Sequence, residues 1–384
     1  MVLDVVGFRR SLICRGIESE LATLVCRFYT PLVLDNGGFR HSLIGRDGAR
    51  RSGSRVPTLA IHSRRRCVAS SLSSTLSPMA AQPRFPRMII LANTEKEAVR
   101  SALEQLRPWL AERATILAEP QIMNLSRRSV SELPDADQGL VLGGDGTMLA
   151  QARLLTDLQL PLLGVNFGKL GFLAEFSIDD LKRHWSSVAD GTCRTTRRLL
   201  IEVLVFDTEA ADCRVDRLDM DHCKLRSLAL NDAVITAGEP FRMLEIQLAI
   251  EPGSTATDRG ATLMVGDGMI ICTPTGSTAY NIAAGGPIVS PGVDALCVTP
   301  ICAHSLSFRP LVVRPDAGIG IRLMSANAGT TLVIDGQETV KLSAHEQVYV
   351  KKYPQPLLLV RNPQISYWTM LNQKMQWAAR PRKV

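Results

Sequence analysis

The sequence predicts an α/β domain built on a mainly parallel sheet, followed by an all-β antiparallel sandwich. Three observations carry that expectation. Between residues 88 and 190, short apolar runs alternate with helical patterns, the mark of successive βαβ units. Beyond about residue 190, many short β-rich runs follow one another with turn residues between them, as in a sandwich. At 384 residues the chain is also long enough to bury two cores.

Residues 1–87 read differently from the rest. They hold fourteen Arg, no Lys and five acids, so the basic net charge of +7 originates there, and the remainder is slightly acidic. Helical or strand periodicity is hard to find, and a Ser-rich run spans Ser70 to Ser77. The expectation is a disordered or dispensable extension, with Met79 or Met88 as alternative starts. A transit peptide would place its Arg and Ser bias at the very N-terminus, whereas here the bias strengthens only after residue 39.

The α/β domain is expected over 88–190. Met88–Ala92 reads as a strand, and Asn93-Thr94 as the cap of a helix running to about Leu106, with Glu95 and Glu97 at its positive end. Leu140–Gly143 and Pro161–Phe167 are further strands. The sandwich is expected over 191–365. Its strands read as Leu199–Phe206, Ser227–Ile235, Met243–Glu251, Thr262–Thr273 and Leu296–Pro300. Leu311–Val313, Ile319–Met324, Thr331–Ile334, Val348–Lys351 and Leu357–Val360 complete the set. A last helix over 366–377 could pack back on either domain.

Composition excludes several classes. No run of about 18 apolar residues is present, so no membrane span is expected. Aromatics make up 5% and do not interleave with basic patches, which disfavours nucleic acid as a partner. Nine cysteines, spread singly, suit free thiols in the cytoplasm better than a disulfide framework. His222-Cys223 and Cys213 lack a second ligand pair at metal spacing, so no metal site is assigned.

Two stretches carry chemistry. Gly143-Gly144-Asp145-Gly146-Thr147 lies between a strand and a helix, and its glycines let backbone N–H groups surround a phosphate. Asp145 cannot hold a phosphate, but it can take a proton from an attacking hydroxyl or meet a magnesium ion. A tight βα turn with an Asp cap is the competing reading. In Gly266–Pro291 a short apolar strand is broken by Pro274, and Thr275-Gly276-Ser277-Thr278 then leads into a two-turn helix stopped by Gly285-Gly286-Pro287. This is a seat for an anion or nucleotide. Asn231-Asp232 can accept hydrogen bonds from ribose hydroxyls, or simply form a turn. Asp335-Gly336-Gln337 reads by default as a hairpin turn. The commoner P-loop and dinucleotide fingerprints are absent: Leu170 stands where a P-loop needs Ser or Thr, and no strand-linked G-x-G-x-x-G occurs.

These pieces together resemble the ATP-NAD kinase family, from Met88 to about Trp377. They are GGDGT at 143–147, NFGKLGFL at 166–173, LND at 230–232, DGMIICTPTGSTAYNIAAGGPIVSP at 267–291 and TPICAHSLSFRPLVV at 299–313. GGDGT alone is shared with lipid kinases and phosphofructokinases; the later motifs are more specific. The resemblance implies an active site in the cleft between the two domains, ATP and NAD as substrates, Mg²⁺ or another divalent cation, and a homo-oligomer. It implies Asp145 as general base, with Gly143, Gly144 and Thr147 at the ATP phosphates. It places NAD against Gly146, Asn231, Asp232, Asp267, the turn Thr278, Ala279, Tyr280, Asn281, Ile282, Ala283, and Arg242 and Gln337. A GGDGT-type lipid kinase, which needs an apolar acyl site, and a non-catalytic nucleotide sensor, which needs no base, are the rival readings.

Overall fold

The computed structural model describes residues 85–168, 170–207, 220–250, 262–305 and 307–375. The anticipated extension therefore lies outside the described residues up to position 84. Arg87 belongs to the first strand, where its amide donates to Asp137 Oδ2 at 2.8 Å. Cys213, Lys169, Glu251 and the end of the last helix (376–377) also fall outside.

The first part runs β1 (Arg87–Ala92), α1 (Glu97–Ala111), β2 (Thr115–Ala118), α2 (Arg127–Val130), β3 (Gln138–Leu142) and α3 (Asp145–Leu155). It continues with β4 (Leu162–Val165), α4 (Ile178–Arg183), α5 (Trp185–Ala189) and β5 (Thr195–Arg198). β1 to β4 pair in parallel, each fully buried central strand reading as a continuous apolar run. Met88, Ile90, Leu140 and Leu142 face Leu103, Leu106 and Leu110 of α1. Ile89, Leu91 and Val141 face Met148, Ala152 and Leu155 of α3. Helix α1 starts three residues later than expected, because the Asn93 side chain caps the Glu95 amide in a turn ahead of the helix rather than the helix itself.

The second part runs β6 (Ile201–Phe206), β7 (Cys223–Ala229), β8 (Asp232–Thr236), β9 (Leu244–Ile250), β10 (Thr262–Gly266) and β11 (Gly268–Cys272). After α6 (Tyr280–Ala283) come β12 (Leu296–Ile301), β13 (Leu311–Val313), β14 (Ile319–Ser325), β15 (Thr331–Ile334), β16 (Glu338–Lys341) and β17 (Gln347–Lys352). They form two six-stranded antiparallel sheets, ordered β10-β9-β14-β17-β6-β7 and β13-β12-β11-β8-β15-β16. Alternate residues such as Leu244, Ile246 and Leu248 meet Ile235, Ile271 and Leu332 in the core between the sheets. Finally β18 (Leu357–Val360) returns to the first sheet between β4 and β5, and α7 (Tyr367–Met375) follows. α7 buries Met370 and Leu371 and brings Tyr367 to Phe172, so it packs back on the α/β part.

Two expected long strands are each cut in two, because the chain changes sheet there. Ser227–Ile235 divides into β7 and β8 at Leu230-Asn231. Thr262–Thr273 divides into β10 and β11 at Asp267, where a Cβ on Gly268 would stand 2.0 Å from the Ile235 carbonyl oxygen. Only glycine allows that crossing.

At the first break the amides of Leu230, Asn231 and Asp232 all donate to the Asp335 carboxylate, at 3.0, 2.7 and 3.2 Å. Asp335 and Gly336 adopt left-handed conformations (φ +50° and +65°) in the β15–β16 hairpin turn, which aims the carboxylate at the break. On the opposite side Thr273 Oγ1 donates to the Leu230 carbonyl, and the Thr273 amide donates to that of Asn231. With Asp335→Ala three amides lose their acceptor in a buried site. At about 1 kcal/mol or more each, stability should fall by roughly 3 kcal/mol. Denaturant unfolding measures this, and an unchanged midpoint would remove the clamp.

Candidate active site

Gly143 and Gly144 carry the chain from β3 into α3. A Cβ on Gly143 would lie 2.4 Å from Thr147 Oγ1, so the first turn of the helix excludes any larger residue there. Gly144 occupies the N-cap position and Asp145 is the first helical residue, with no side-chain cap present. The helix therefore opens with unsatisfied amides and a positive end. A cavity of about 450 Å³ lies against it, lined by Gly144, Gly146 and Thr147 together with Asn93, Lys96 and Gln337.

Asp145 does not line that cavity; its carboxylate turns to the 171–174 loop. Oδ2 accepts from the Phe172 amide at 2.8 Å, and Oδ1 accepts from Leu173 and Ala174 at 3.0 Å each. A Cβ on Gly171 would fall 1.7 Å from Oδ1, which accounts for the glycine in GKLGFL. A carboxylate offers about four lone-pair sites, so this clamp leaves one on Oδ2. The arrangement orients the carboxylate and keeps one acceptor position.

A second cavity, of about 290 Å³, is lined by Asn231, Asp232, Ala279, Tyr280, Asp335 and Gly336, among others. Tyr280 is 46% exposed, a ring open to a ligand. Asp232 is 5% exposed, and its pKa is pushed up to about 7 by burial and by the Asp335 carboxylate, against the Tyr280 amide. Asp335 is itself shifted upward by burial, an effect its three amide donors only partly offset. Two neighbouring carboxylates that share one buried corner resist double ionisation.

Gln337 lines the first cavity and lies two residues after Asp335 of the second. Its Nε2 donates to the Gly146 carbonyl at 2.7 Å, and its Oε1 accepts from Arg153 Nη2 at 2.8 Å. The β15–β16 turn thus ties the sandwich to α3, and Leu228 and Leu230 pack with Leu155 and Met148 beneath it.

The rest of the anticipated seat divides. Instead of a two-turn helix, a 3₁₀ turn at Gly276–Thr278 precedes the single turn of α6. The hydroxyls serve inward bonds: Ser277 Oγ donates to Pro274 O and accepts from the Val289 amide, and Thr278 Oγ1 donates to Thr275 O. A Cβ on Gly276 would meet Asn231 O at 2.1 Å, so the two motifs touch backbone to backbone. Asn281 is wholly buried, donating to Ser277 O and Pro287 O and accepting from Thr299 Oγ1. It holds the loop from inside and faces neither cavity. Ile282 and Ala283 follow it in α6. Asp267 and Arg242 sit in exposed turns and line neither cavity.

Three contributors were not expected from sequence: Asp335 as a clamp, Arg153 as the orienter of Gln337, and Lys96 as the cation of the first cavity. Asp335 alone carried a local signal, an Asp-Gly turn, and that signal speaks of a hairpin rather than of partners a hundred residues away.

A glycine turn feeding a helix N-terminus, set across from a carboxylate-bearing cavity, defines a phosphate-handling fold in two parts. Family models of the ATP-NAD kinase N-terminal and C-terminal domains match residues 132–193 and 230–362. The NAD kinase of Acidobacterium capsulatum is 34% identical over 304 residues, covering 77% of this chain and 99% of that protein. That of Geobacter metallireducens is 34% identical over 299 residues, with 77% and 99% covered. In fold, the chain matches yeast NADH kinase complexed with NADH at a TM-score of 0.62 and 23% identity, covering 79% of this chain and 91% of that one. The chain belongs to the ATP-NAD kinase family.

The upward shift of Asp232 fixes a pH dependence. Its folded pKa, about 7, exceeds the unfolded value of about 4, so the folded state keeps a proton that the unfolded state has lost. Stability should fall as pH rises through that window and level off above it; the shift of Asp335 has the same sign. Asp232→Asn should flatten the fall. The check is Tm at about pH 5 and pH 8 for both proteins, and equal slopes would refute the assignment.

Proposed function

We propose that this enzyme, an ATP-dependent NAD kinase, transfers the γ-phosphate of ATP to the 2′-hydroxyl of the adenosine ribose of NAD, giving NADP and ADP. The observation that carries the reading is the Asp145 clamp, which holds a carboxylate at the start of α3 with one acceptor position left. Asp145 takes the hydroxyl proton as the ribose oxygen bonds to the γ-phosphorus and the bond to the β-phosphate bridging oxygen breaks. Gly143, Gly144 and Thr147, joined by Lys96, receive the phosphates of ATP, and Gly146 stands against NAD. Asn231 and Asp232 hold the ribose of NAD, and the Tyr280 ring stacks on its base. Gln337 keeps the two cavities in register.

A divalent cation accompanies the reaction in this reading. In this reading Mg²⁺ would be held largely by the substrate phosphates, as is usual where the cation travels with a nucleotide. Bound Mg²⁺ supplies charge neutralisation at the transferring group. We further place the enzyme in the cytoplasm, where the free thiols of Cys193, Cys223, Cys272, Cys297 and Cys302 are at home. No described helix is long and apolar enough to cross a membrane. A homo-oligomer is supported by edge strand β13, which exposes Leu311 and Val312.

A coupled assay of NADP formation from ATP, Mg²⁺ and NAD tests the reading, and no product from folded protein would refute it. In the same assay Asp145→Asn should lower kcat by about 10²–10⁴-fold, the usual contribution of a general base. NAD binding by calorimetry should change much less. An unaltered kcat would leave Asp145 as a loop anchor alone.

A further inference from the structure

A third cavity, of about 930 Å³, lies away from both site cavities, between β5, β18 and the start of α7. It is lined by Arg194, Arg197, Arg198 and Arg361, with no Asp or Glu among its lining residues. Its charge balance is unusual. Glu175 is the buried acid behind it, and Arg361 occupies that carboxylate, with Nε 2.7 Å from Oε2. The Asn362 amide takes another of its acceptor sites at 3.1 Å.

Arg198 is left over. It is 2% exposed, and among the described residues its Nε has no hydrogen-bond partner and no carboxylate forms an ion pair with it. Burial and the Arg361 charge lower its pKa to about 10, an effect the Glu175 charge only partly offsets. The buried Tyr367 Oη, on the wall of the same cavity, is likewise without a partner. Exposed Arg194 and Arg197 stand at the rim. A buried, unpaired guanidinium and an unpaired phenol are costly unless something with acceptor oxygens meets them. Guanidinium forks match phosphate oxygens in pairs, and the volume suits a small organic molecule rather than an ion alone.

We propose that this cavity binds the phosphate group of a small phosphorylated molecule, held by Arg198, Arg361 and Tyr367 and drawn in by Arg194 and Arg197. The site is separate from the glycine turn, so it adds a ligand to those of the phosphoryl transfer.

Titration calorimetry on the full chain in chloride buffer tests this, with inorganic phosphate and AMP as probes. Wild type should bind phosphate, and both Arg198→Met and the rim pair Arg194→Gln/Arg197→Gln should weaken that binding by about tenfold or more. Arg198→Met should change Tm little, because the buried charge it removes has no hydrogen-bonded carboxylate of its own and Glu175 keeps Arg361. The rim pair, being exposed, keeps the test open should Arg198→Met fold poorly. AMP binding more tightly than phosphate, with the excess lost in the variants, assigns the site to a phosphorylated organic molecule; equal affinities assign it to free phosphate. Wild-type affinity in both variants, or no binding to wild type up to about 10 mM, overturns the proposal.

Discussion

The structure depends on one buried carboxylate accepting three consecutive amides. Where the chain leaves one sheet of the sandwich for the other, Leu230, Asn231 and Asp232 cannot donate to either ladder, and Asp335 takes all three. Without it the break would leave orphan donors in a dry place, and the strand would have reason to run straight on. The clamp thereby sets Asn231 at a corner and Asp232 at the very start of β8, both facing a cavity. The same hairpin turn sends Gln337 across to Gly146, so the corner that presents one cavity also registers the other.

This concentration of polar groups has an electrostatic consequence. Burial raises the pKa of Asp335 although three amides donate to it, and it raises that of Asp232, beside it, which has the Tyr280 amide. The corner can carry one full negative charge far more readily than two. Asp232 is thus placed to change protonation when a ligand displaces water or brings hydroxyl groups, and a rigid turn keeps it from relaxing away. Perturbed carboxylates of this kind concentrate where structure has been spent on function rather than on stability.

The sequence made the layers legible because each rests on local periodicity. The apolar runs of β1, β3 and β4 and the alternation in β9 announce their own burial. The glycine turn was legible for the same reason, since three glycines in four positions leave few other uses. What escaped was set by contacts across long separations. Nothing near Leu230 says that its amide goes to residue 335, so β7 and β8 read as one strand. Nothing near Asn281 says that Thr299 and Pro287 consume its side chain, so a structural amide read as a ligand contact. Motif residues divide into those that touch a cavity and those that hold the loop that does, and only packing separates them.

The Asp145 loop shows how such holding is passed along the chain. Ala174 donates to Asp145, and the next residue, Glu175, is a buried acid gripped by Arg361 and Asn362, just past the end of β18. β18 itself reaches the first sheet only after the whole sandwich has been threaded, and its pairing with β4 sets where Arg361 falls. The loop beginning at Gly171 is held a second time on β4, where the Phe176 amide donates to the Gly164 carbonyl and the Asn166 amide donates to that of Phe176. Burial raises the pKa of Glu175 despite Arg361, so the ion pair is costly as well as directional, a feature better suited to fixing one geometry than to adding stability. The position of the carboxylate at the head of α3 thus rests on two supports of very different sequence distance, the adjacent β4 and the last strand of the chain.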